Sequence, residues 1–253
     1  MPELSLVIMT FNEASNIERC LDSAALVADE ILVVDSYSKD NTVELAKAKG
    51  ARVIMHPFLG FKEQRIYAIS QAKYNCVLIL DADEALDEKL RHSILSIKES
   101  WPSDCYTMNR MSNIDEQWIH HGGWYPDKKM RLFDRRHYQI GGLNPHDKII
   151  PKPEAKHQQL KGNILHYTNS NIEDRIATIN KFSTVAAQAF FDKGKRGNLL
   201  RILFKPGLRF FVEYFIKRGF LNGFYGFAIA KTSAQYVFYR ELKLHVLSKK
   251  ERP

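Results

Sequence analysis

The stretch that decides the fold is CVLIL at residues 76–80, followed directly by DADE at residues 81–84. Five apolar residues in a row are typical of a strand buried on both faces of a sheet. The acids that follow would then lie at the carboxyl end of this strand, where open α/β sheets bind ligands. There Asp81 and Asp83 could converge on one divalent cation through their oxygen atoms. Acids are also common where strands simply stop, so this short pattern alone leaves a structural interpretation open.

Apolar runs with polar ends also occur earlier in the chain. Residues 4–9, 30–35 and 51–55 predict three further buried strands, and amphipathic spacing predicts helices at 16–26, from 42 to about 49, and at 61–72. Strands and helices that alternate in this way predict an α/β fold, with a mostly parallel sheet and helices on both of its faces.

The second half of the chain is less regular. A helix is predicted at residues 87–100, a short strand at 105–109 and a helix at 172–193. The segment 113–153 is rich in Gly, Pro, His and Trp, which predicts a long functional loop. In the aromatic, basic stretch at 199–247, Pro206 is expected to break or bend any helix.

Composition narrows the class of protein. With 253 residues, 45% of them hydrophobic and 26% charged, the chain suits one large globular domain, or one domain with a small appendage. There is no run of eighteen apolar residues and no basic start typical of a signal peptide, so we expect a cytoplasmic protein. Three widely spaced cysteines indicate neither a disulfide framework nor a zinc site.

The net charge of +8 is concentrated near the C-terminus. Residues 193–218 hold eight basic residues and one acid, which indicates an anionic partner. An anionic membrane surface is favoured over nucleic acid, because no helix-turn-helix, zinc or RNA-recognition signature accompanies the charge. The alternative is a helical layer that packs on the domain.

Polar side chains follow three of the four predicted strands. They are Thr10, Asn12 and Glu13 after the first, Asp35 and Ser38 after the second, and Asp81 and Asp83 after the fourth. Because the carboxyl ends of parallel strands share one edge of a sheet, these groups predict a single crevice. The sequence lacks both the GxGxxG fingerprint and the P-loop motif, which argues against dinucleotide oxidoreductases and P-loop phosphotransferases.

These motifs resemble a known family. TFNE at residues 10–13, DSYSKDNT at 35–42 and DAD at 81–83 are similar to the successive signatures of family 2 glycosyltransferases, which have the GT-A fold. The resemblance implies that Asp83 binds Mg²⁺ or Mn²⁺ and that a UDP-sugar is the donor. The implied nucleotide-sugar contacts are Thr10, Asn12, Glu13, Asp35, Ser38, Asp81 and Ala82.

Further residues are candidates for the same site. Lys62 and Arg65 are placed to stabilise a departing diphosphate, although an exposed basic helix face would explain them equally well. His166 follows an apolar pair and could complete the metal shell, or it could be a core histidine with an ordinary hydrogen bond.

The acceptor side is predicted in the middle segment. His146-Asp147 matches the position at which the family usually carries Glu-Asp or His-Glu, so Asp147 is the candidate base that removes the proton of the acceptor hydroxyl. The alternative is an Asn-Pro turn followed by an incidental acid. Trp124 and Tyr125 could stack on a sugar ring, or pack the loop on the sheet, and Arg131 could bind phosphate.

The whole pattern is similar to bacterial lipopolysaccharide core β-1,4-glucosyltransferases. This resemblance implies transfer from UDP-glucose to an inner-core heptose, with a lipid-anchored acceptor and peripheral location at the inner face of the cytoplasmic membrane. We expect a catalytic domain at residues 1–190, with a nucleotide-sugar half at 1–100 and an acceptor half at 101–170, and a basic helical extension at 191–253. The rival hypotheses are a polyprenyl-phosphate or capsule acceptor, and a non-catalytic protein that binds anionic lipid or RNA.

Overall fold

The computed structural model describes residues 2–141, 148–168 and 171–250, and the chain divides into two compact units. The first unit comprises Met1–Arg110 and Asp127–Tyr167, and the second comprises Met111–Pro126 and Thr168–Pro253. The sequence instead predicts that the catalytic domain ends at residue 190, and this functional boundary stays a prediction. Residues 172–192 belong to the second compact unit, together with the C-terminal helices.

The first unit is built on four parallel strands: β1 (Leu4–Thr10), β2 (Glu30–Asp35), β3 (Arg52–Met55) and β4 (Cys76–Asp81). Their order across the sheet is β3-β2-β1-β4. In this register Thr10 pairs with Asp35 and Met9 with Asp81, so the polar strand ends lie side by side.

Helices cover both faces of this sheet: α1 (Ile17–Ala24), α2 (Thr42–Ala48), α3 (Phe61–Ser70) and α4 (Glu88–Lys98). Alternate residues of β1 serve the two faces, because successive strand side chains point in opposite directions. Leu6 and Ile8 belong to the core that includes α1 and α4, whereas Val7 belongs to the core that includes α3. The predicted α/β fold class is confirmed.

Four further strands extend the sheet beyond β4: β5 (Glu84–Leu86), β6 (Cys105–Ile114), β8 (Asp127–Asp134) and β11 (His157–His166). Their order is β4-β8-β6-β11-β5, and the β4–β8, β8–β6 and β11–β5 pairings are antiparallel. Three short strands complete the set: β7 (Gln117–Trp118), which pairs with β6, and the antiparallel pair β9 (Tyr138–Gly141) and β10 (Lys148–Pro151).

The predicted long loop at residues 113–153 is therefore wrong, since β6 enters this segment and β7, β8, β9 and β10 lie within it. Strand β8 begins with Asp127-Lys128-Lys129, which gives no apolar signal at its start. What makes this segment a strand is hydrogen bonding to β4 and β6, which are distant in sequence.

In the second unit, α7 (Gly223–Lys250) packs against α5 (Ile172–Asp192) and α6 (Leu199–Phe211). A π-helical turn at Val212–Ile216 and a 3₁₀ turn at Gly219–Asn222 join α6 to α7. Pro206 lies inside α6 and does not break it, so of the two expected outcomes only a bend stays a prediction; the packing of α6 on α7 outweighs the lost backbone donor. Within the described residues, no helix has the length and apolar character needed to cross a bilayer.

Candidate active site

A cavity of about 650 Å³ lies in the first unit at the carboxyl ends of β1, β2 and β4. The three strand ends contribute Thr10, Glu13, Ser36, Asp81 and Asp83 to its lining. A crevice thus lies at the predicted sheet edge, and four of the seven side chains predicted for it line it: Thr10, Glu13, Asp81 and Asp83. Its volume is within the range of small-molecule sites.

The floor of the cavity is a network of buried ions. The Arg131 guanidinium donates from Nη2 to Asp81 Oδ2 at 2.6 Å and to Glu84 Oε1 at 2.8 Å. Glu84 is fully buried, and Arg110 Nη1 approaches the same Oε1 atom at 3.4 Å. Burial would raise the pKa of Asp81, but the Arg131 and Arg65 guanidinium groups hold it well below its usual range.

Arg131 keeps donors to spare. Its side chain is only 5% exposed and lines the cavity. Among the described residues, its Nε and Nη1 atoms have no hydrogen-bond partner. A buried donor without a partner is costly, so these atoms are available to an anionic ligand.

Asp83 and His166 form a second group on the cavity wall. His166 Nε2 lies 3.1 Å from Asp83 Oδ2, and both residues line the cavity. The pairing of β5 with β11 brings them together, because His166 stands opposite Glu84 in that register. No cluster of three or more metal-ligating side chains occurs within residues 2–141, 148–168 and 171–250. Two protein ligands suit Mg²⁺ or Mn²⁺ when substrate phosphates supply other ligands, so the donor set fits such an ion.

Three predicted contact residues instead hold the loops together. Asp35 is fully buried and accepts hydrogen bonds from Ser38 N at 2.7 Å and from Ser38 Oγ at 2.5 Å. Asn12 N donates to Ser38 Oγ at 2.8 Å, and Lys39 N donates to Asn12 Oδ1 at 2.7 Å. None of Asn12, Asp35 and Ser38 lines the cavity.

Thr10 and Glu13 reach the cavity directly. The Thr10 hydroxyl is buried and finds no partner in the part of the chain that the structure describes. Burial, together with the negative charges of Asp83 and Asp40, raises the pKa of Glu13 above its usual value. Thr10 therefore offers a hydroxyl without a partner among the described residues, whereas Glu13 accepts a hydrogen bond from Asn16 Nδ2 at 2.8 Å.

The two candidates on α3 differ in position. Arg65 lines the cavity, and its Nη2 atom lies 3.8 Å from Asp81 Oδ1. Lys62 is not among the lining residues, whereas Ala82 is.

The sequence missed part of the cavity wall. More basic residues than acids line the cavity. The basic residues are Arg65, Arg110, Lys128, Lys129, Arg131 and Lys148, and the acids are Glu13, Asp81, Asp83 and Asp127. Strands β6, β8 and β10 supply Arg110, Lys128, Lys129 and Lys148. Phe11, Phe58 and Phe61, each about half exposed, give another part of the wall an aromatic character. The basic pair at residues 128–129 was visible in the sequence, but only strand pairing directs it to the cavity.

The remaining acceptor candidates have other locations. Trp124 and Tyr125 belong to the second unit, where Trp124 packs on a core formed by Ile114, Ile119 and Ile229. The Arg175 guanidinium carbon lies 4.7 Å from the Trp124 ring centroid, so packing engages this indole, and a sugar contact stays a prediction. His146 and Asp147 lie outside the described residues.

Comparison with solved structures gives only a partial likeness. Glucosyl-3-phosphoglycerate synthase from Mycobacterium tuberculosis, in complex with Mn²⁺, UDP and glucosyl-3-phosphoglycerate, matches with a TM-score of 0.37 and 22% identity. The match covers 44% of each chain, so this protein spans less than half of that structure.

Sequence comparison reaches further. The chain is 31% identical to an uncharacterized glycosyltransferase of Rickettsia bellii, over 97% of this chain and 87% of the relative. It is 27% identical to the lipopolysaccharide core biosynthesis glycosyltransferase LpsC of Rhizobium meliloti, over 96% and 92% of the two chains. The model of glycosyl transferase family 2 matches residues 5–153, which include the residues that line the cavity except His166 of β11. With more than half of its length matched, the chain belongs to glycosyl transferase family 2 and is a transferase.

Proposed function

We propose that this protein is an inverting, metal-dependent hexosyltransferase that moves glucose from UDP-glucose to an inner-core heptose of lipopolysaccharide. The observation that carries the proposal is the cavity at the strand ends, where the Asp83–His166 pair lies beside the Asp81–Arg131–Arg65 ion network. Relatedness to LpsC, a lipopolysaccharide core glycosyltransferase, supports the acceptor class.

The donor nucleotide would bind through the aromatic and polar walls. The exposed rings of Phe11, Phe58 and Phe61 offer surfaces on which a flat base can stack. The partnerless Thr10 hydroxyl and the Glu13 carboxylate are available for hydrogen bonds to the nucleotide. Asn12, Asp35 and Ser38 would act by fixing the two loops that carry these groups.

Asp83 and His166 would hold Mg²⁺ or Mn²⁺. Such an ion, when bound, neutralises charge on the donor diphosphate. Arg131, with donors still unsatisfied, and Arg65 would stabilise the negative charge that develops on departing UDP. Lys62, from the same helix as Arg65, would add to the positive field.

Asp147 remains the proposed base, and the next residue, Lys148, lines the cavity. The carboxylate would take the proton from an acceptor hydroxyl as that oxygen attacks the anomeric carbon and the bond to UDP breaks. His146 would adjoin the acceptor. A lipid-anchored acceptor would place the enzyme peripherally at the inner face of the cytoplasmic membrane. The rival acceptors are a polyprenyl phosphate and a capsule precursor.

Thermal unfolding with UDP and Mn²⁺ tests the donor site. At ligand concentrations about 100-fold above Kd we expect the melting temperature to rise by roughly 5 °C. Asp83→Ala should remove the metal-dependent part of this rise, whereas Glu44→Ala, an exposed acid on α2, should keep it. An unchanged response in Asp83→Ala would refute the metal site.

Transfer assays test the reaction. Hydrolysis of a panel of UDP-sugars identifies the donor, and transfer to heptose-containing, polyprenyl-phosphate and capsule acceptors distinguishes the three acceptor classes. Asp147→Asn should retain UDP binding while transfer falls about 10²–10⁴-fold. Transfer at the wild-type rate in this variant would exclude Asp147 as the base.

A further inference from the structure

Helix α6 presents its apolar side to solvent. A helix on a globular protein normally buries its apolar stripe, but the buried residue of α6 is Ile202. Six large apolar side chains are 51–71% exposed, and we call them the α6 face: Leu199, Leu200, Leu203, Phe204, Leu208 and Phe211. At 3.6 residues per turn they occupy roughly half of the helix circumference.

The apolar surface continues past the end of α6. The Phe211 and Phe215 ring centroids lie 5.3 Å apart, which joins the α6 face to the turns that follow. Exposed apolar residues of those turns and of the start of α7 form what we call the turn cluster: Phe215, Ile216, Phe220, Leu221 and Phe224. Contiguous exposed apolar surface of this kind marks a binding site rather than ordinary protein surface.

Basic residues border this surface. Lys205 pairs with Glu241 on α7 and Arg209 pairs with Glu213, so these two cations contribute to the packing of the unit. Arg201, Lys217 and Arg218 are exposed, and their side chains make no ion pair with any described residue. The cations available to a partner therefore lie next to the apolar surface.

This combination fits one partner. An apolar face with adjacent unpaired cations is typical of helices that lie in the interface of an anionic bilayer. With 13 residues α6 is about 20 Å long, too short for the roughly 30 Å hydrocarbon core, so it would lie in the membrane plane. A protein partner would need acids opposite those cations, whereas anionic lipid supplies both the charge and the apolar layer.

We infer that the α6 face and the turn cluster insert into the headgroup boundary of an anionic membrane, with Arg201, Lys217 and Arg218 at the lipid phosphates. Insertion goes beyond an electrostatic attachment, because it adds an apolar component that salt does not screen. The biological role of this insertion rests on the proposed lipid-anchored acceptor, whereas its physical basis does not.

Vesicle sedimentation tests the inference with the full chain. The triple variant Leu200→Ser, Leu203→Ser and Phe204→Ser should bind phosphatidylglycerol-containing vesicles at least about tenfold more weakly, at low and at high salt. The matched control is Ile176→Ser, Phe182→Ser and Val185→Ser, exposed apolar residues of α5, which should bind as the wild type does. Arg201→Gln with Lys217→Gln should weaken binding at low salt only.

A second measurement reports how deeply α6 lies in the bilayer. In Leu203→Trp we expect a blue-shifted emission and quenching by brominated acyl chains, relative to the parent chain. Equal vesicle binding by the α6 triple variant and the control would overturn the inference. So would a dimer in lipid-free solution that the α6 triple variant converts to a monomer, since a second copy would then cover the face.

The two proposals fail separately. The α6 triple variant should keep the UDP-induced rise in melting temperature, and Asp83→Ala should keep vesicle binding. A wild-type chain that binds vesicles but shows no UDP-induced rise in melting temperature would count against the donor site alone.

Discussion

The cavity floor and helix α6 depart from ordinary protein architecture in opposite directions. In the first unit, the charged side chains of Glu84 and Arg131 are taken out of water and paired with each other, and Arg131 also pairs with the partly exposed Asp81. In the second unit, α6 leaves Leu203 and Phe204 about 70% exposed to water. Each arrangement lowers stability, and we propose that each becomes favourable when its ligand binds: a diphosphate at the cavity floor and an anionic bilayer at the helix.

The largest effect is expected where charge is buried. Arg131→Met would leave the Asp81 and Glu84 carboxylates without their main cation, and we expect a loss of about 3–5 kcal/mol in the free energy of unfolding, measured with urea. Lys49→Met removes a partly exposed cation paired with the exposed Asp22 and should change stability much less. Similar losses in both variants would show that the ion pairs of the cavity floor contribute no more to stability than a pair near the surface.

The next largest effect is a difference in stability cost between substitutions at two neighbouring residues of α6. Ile202→Ala removes a buried side chain and should cost about 2 kcal/mol, whereas Leu203→Ala should change unfolding by no more than about 0.5 kcal/mol. Urea unfolding of the two variants without lipid measures the difference. An equal cost at both positions would mean that α6 is covered in solution.

The attachment of α6 to α7 should depend on pH. Burial would raise the pKa of Glu241, but hydrogen bonds from Lys205 and Arg240 lower it below the usual value of about 4.5. A carboxylate with a lowered folded-state pKa stabilises the fold above its unfolded pKa, and this contribution disappears as pH falls through the folded value. Between pH 5 and 3, the wild type should therefore lose more stability than Glu241→Gln. Parallel pH profiles would contradict the role of this pair.

The smallest effect is expected at Thr10. Thr10→Val replaces a buried hydroxyl that has no partner among the described residues, so stability should stay within about 1 kcal/mol of the wild type or rise. UDP should bind more weakly, because the hydroxyl is proposed to serve the nucleotide. A variant that loses stability and keeps its UDP affinity would assign Thr10 to the fold instead.

Much of the parallel half could be predicted from the sequence. Runs such as residues 76–80 are apolar without interruption because both sheet faces are covered, and that requirement is local. Among the antiparallel strands the first half of β6 was predicted, but β8 and β11 were not, because they form hydrogen bonds with strands distant in sequence. Pro206 does not break α6 for a related reason, since packing on α7 outweighs an unfavourable local propensity.

The candidate site divides in the same way. The motifs at residues 10–13, 35–42 and 81–83 identified the cavity and the aspartates at its centre. They did not distinguish Asp35, which bonds to its own loop, from Asp81, which faces the cavity. The direction in which a side chain points depends on the turn that follows the strand.

By itself, the sequence determined the order of strands and helices in the parallel core, the acids at the end of β4 and the basic, apolar composition of α6. Composition and periodicity are carried by neighbouring residues, so a single chain displays them. Only the tertiary structure decided that Arg131 reaches Asp81 from β8, that β11 brings His166 to Asp83, and that α6 turns its apolar side outward. These outcomes depend on strand pairing and helix packing between segments far apart in the chain, which no local pattern records.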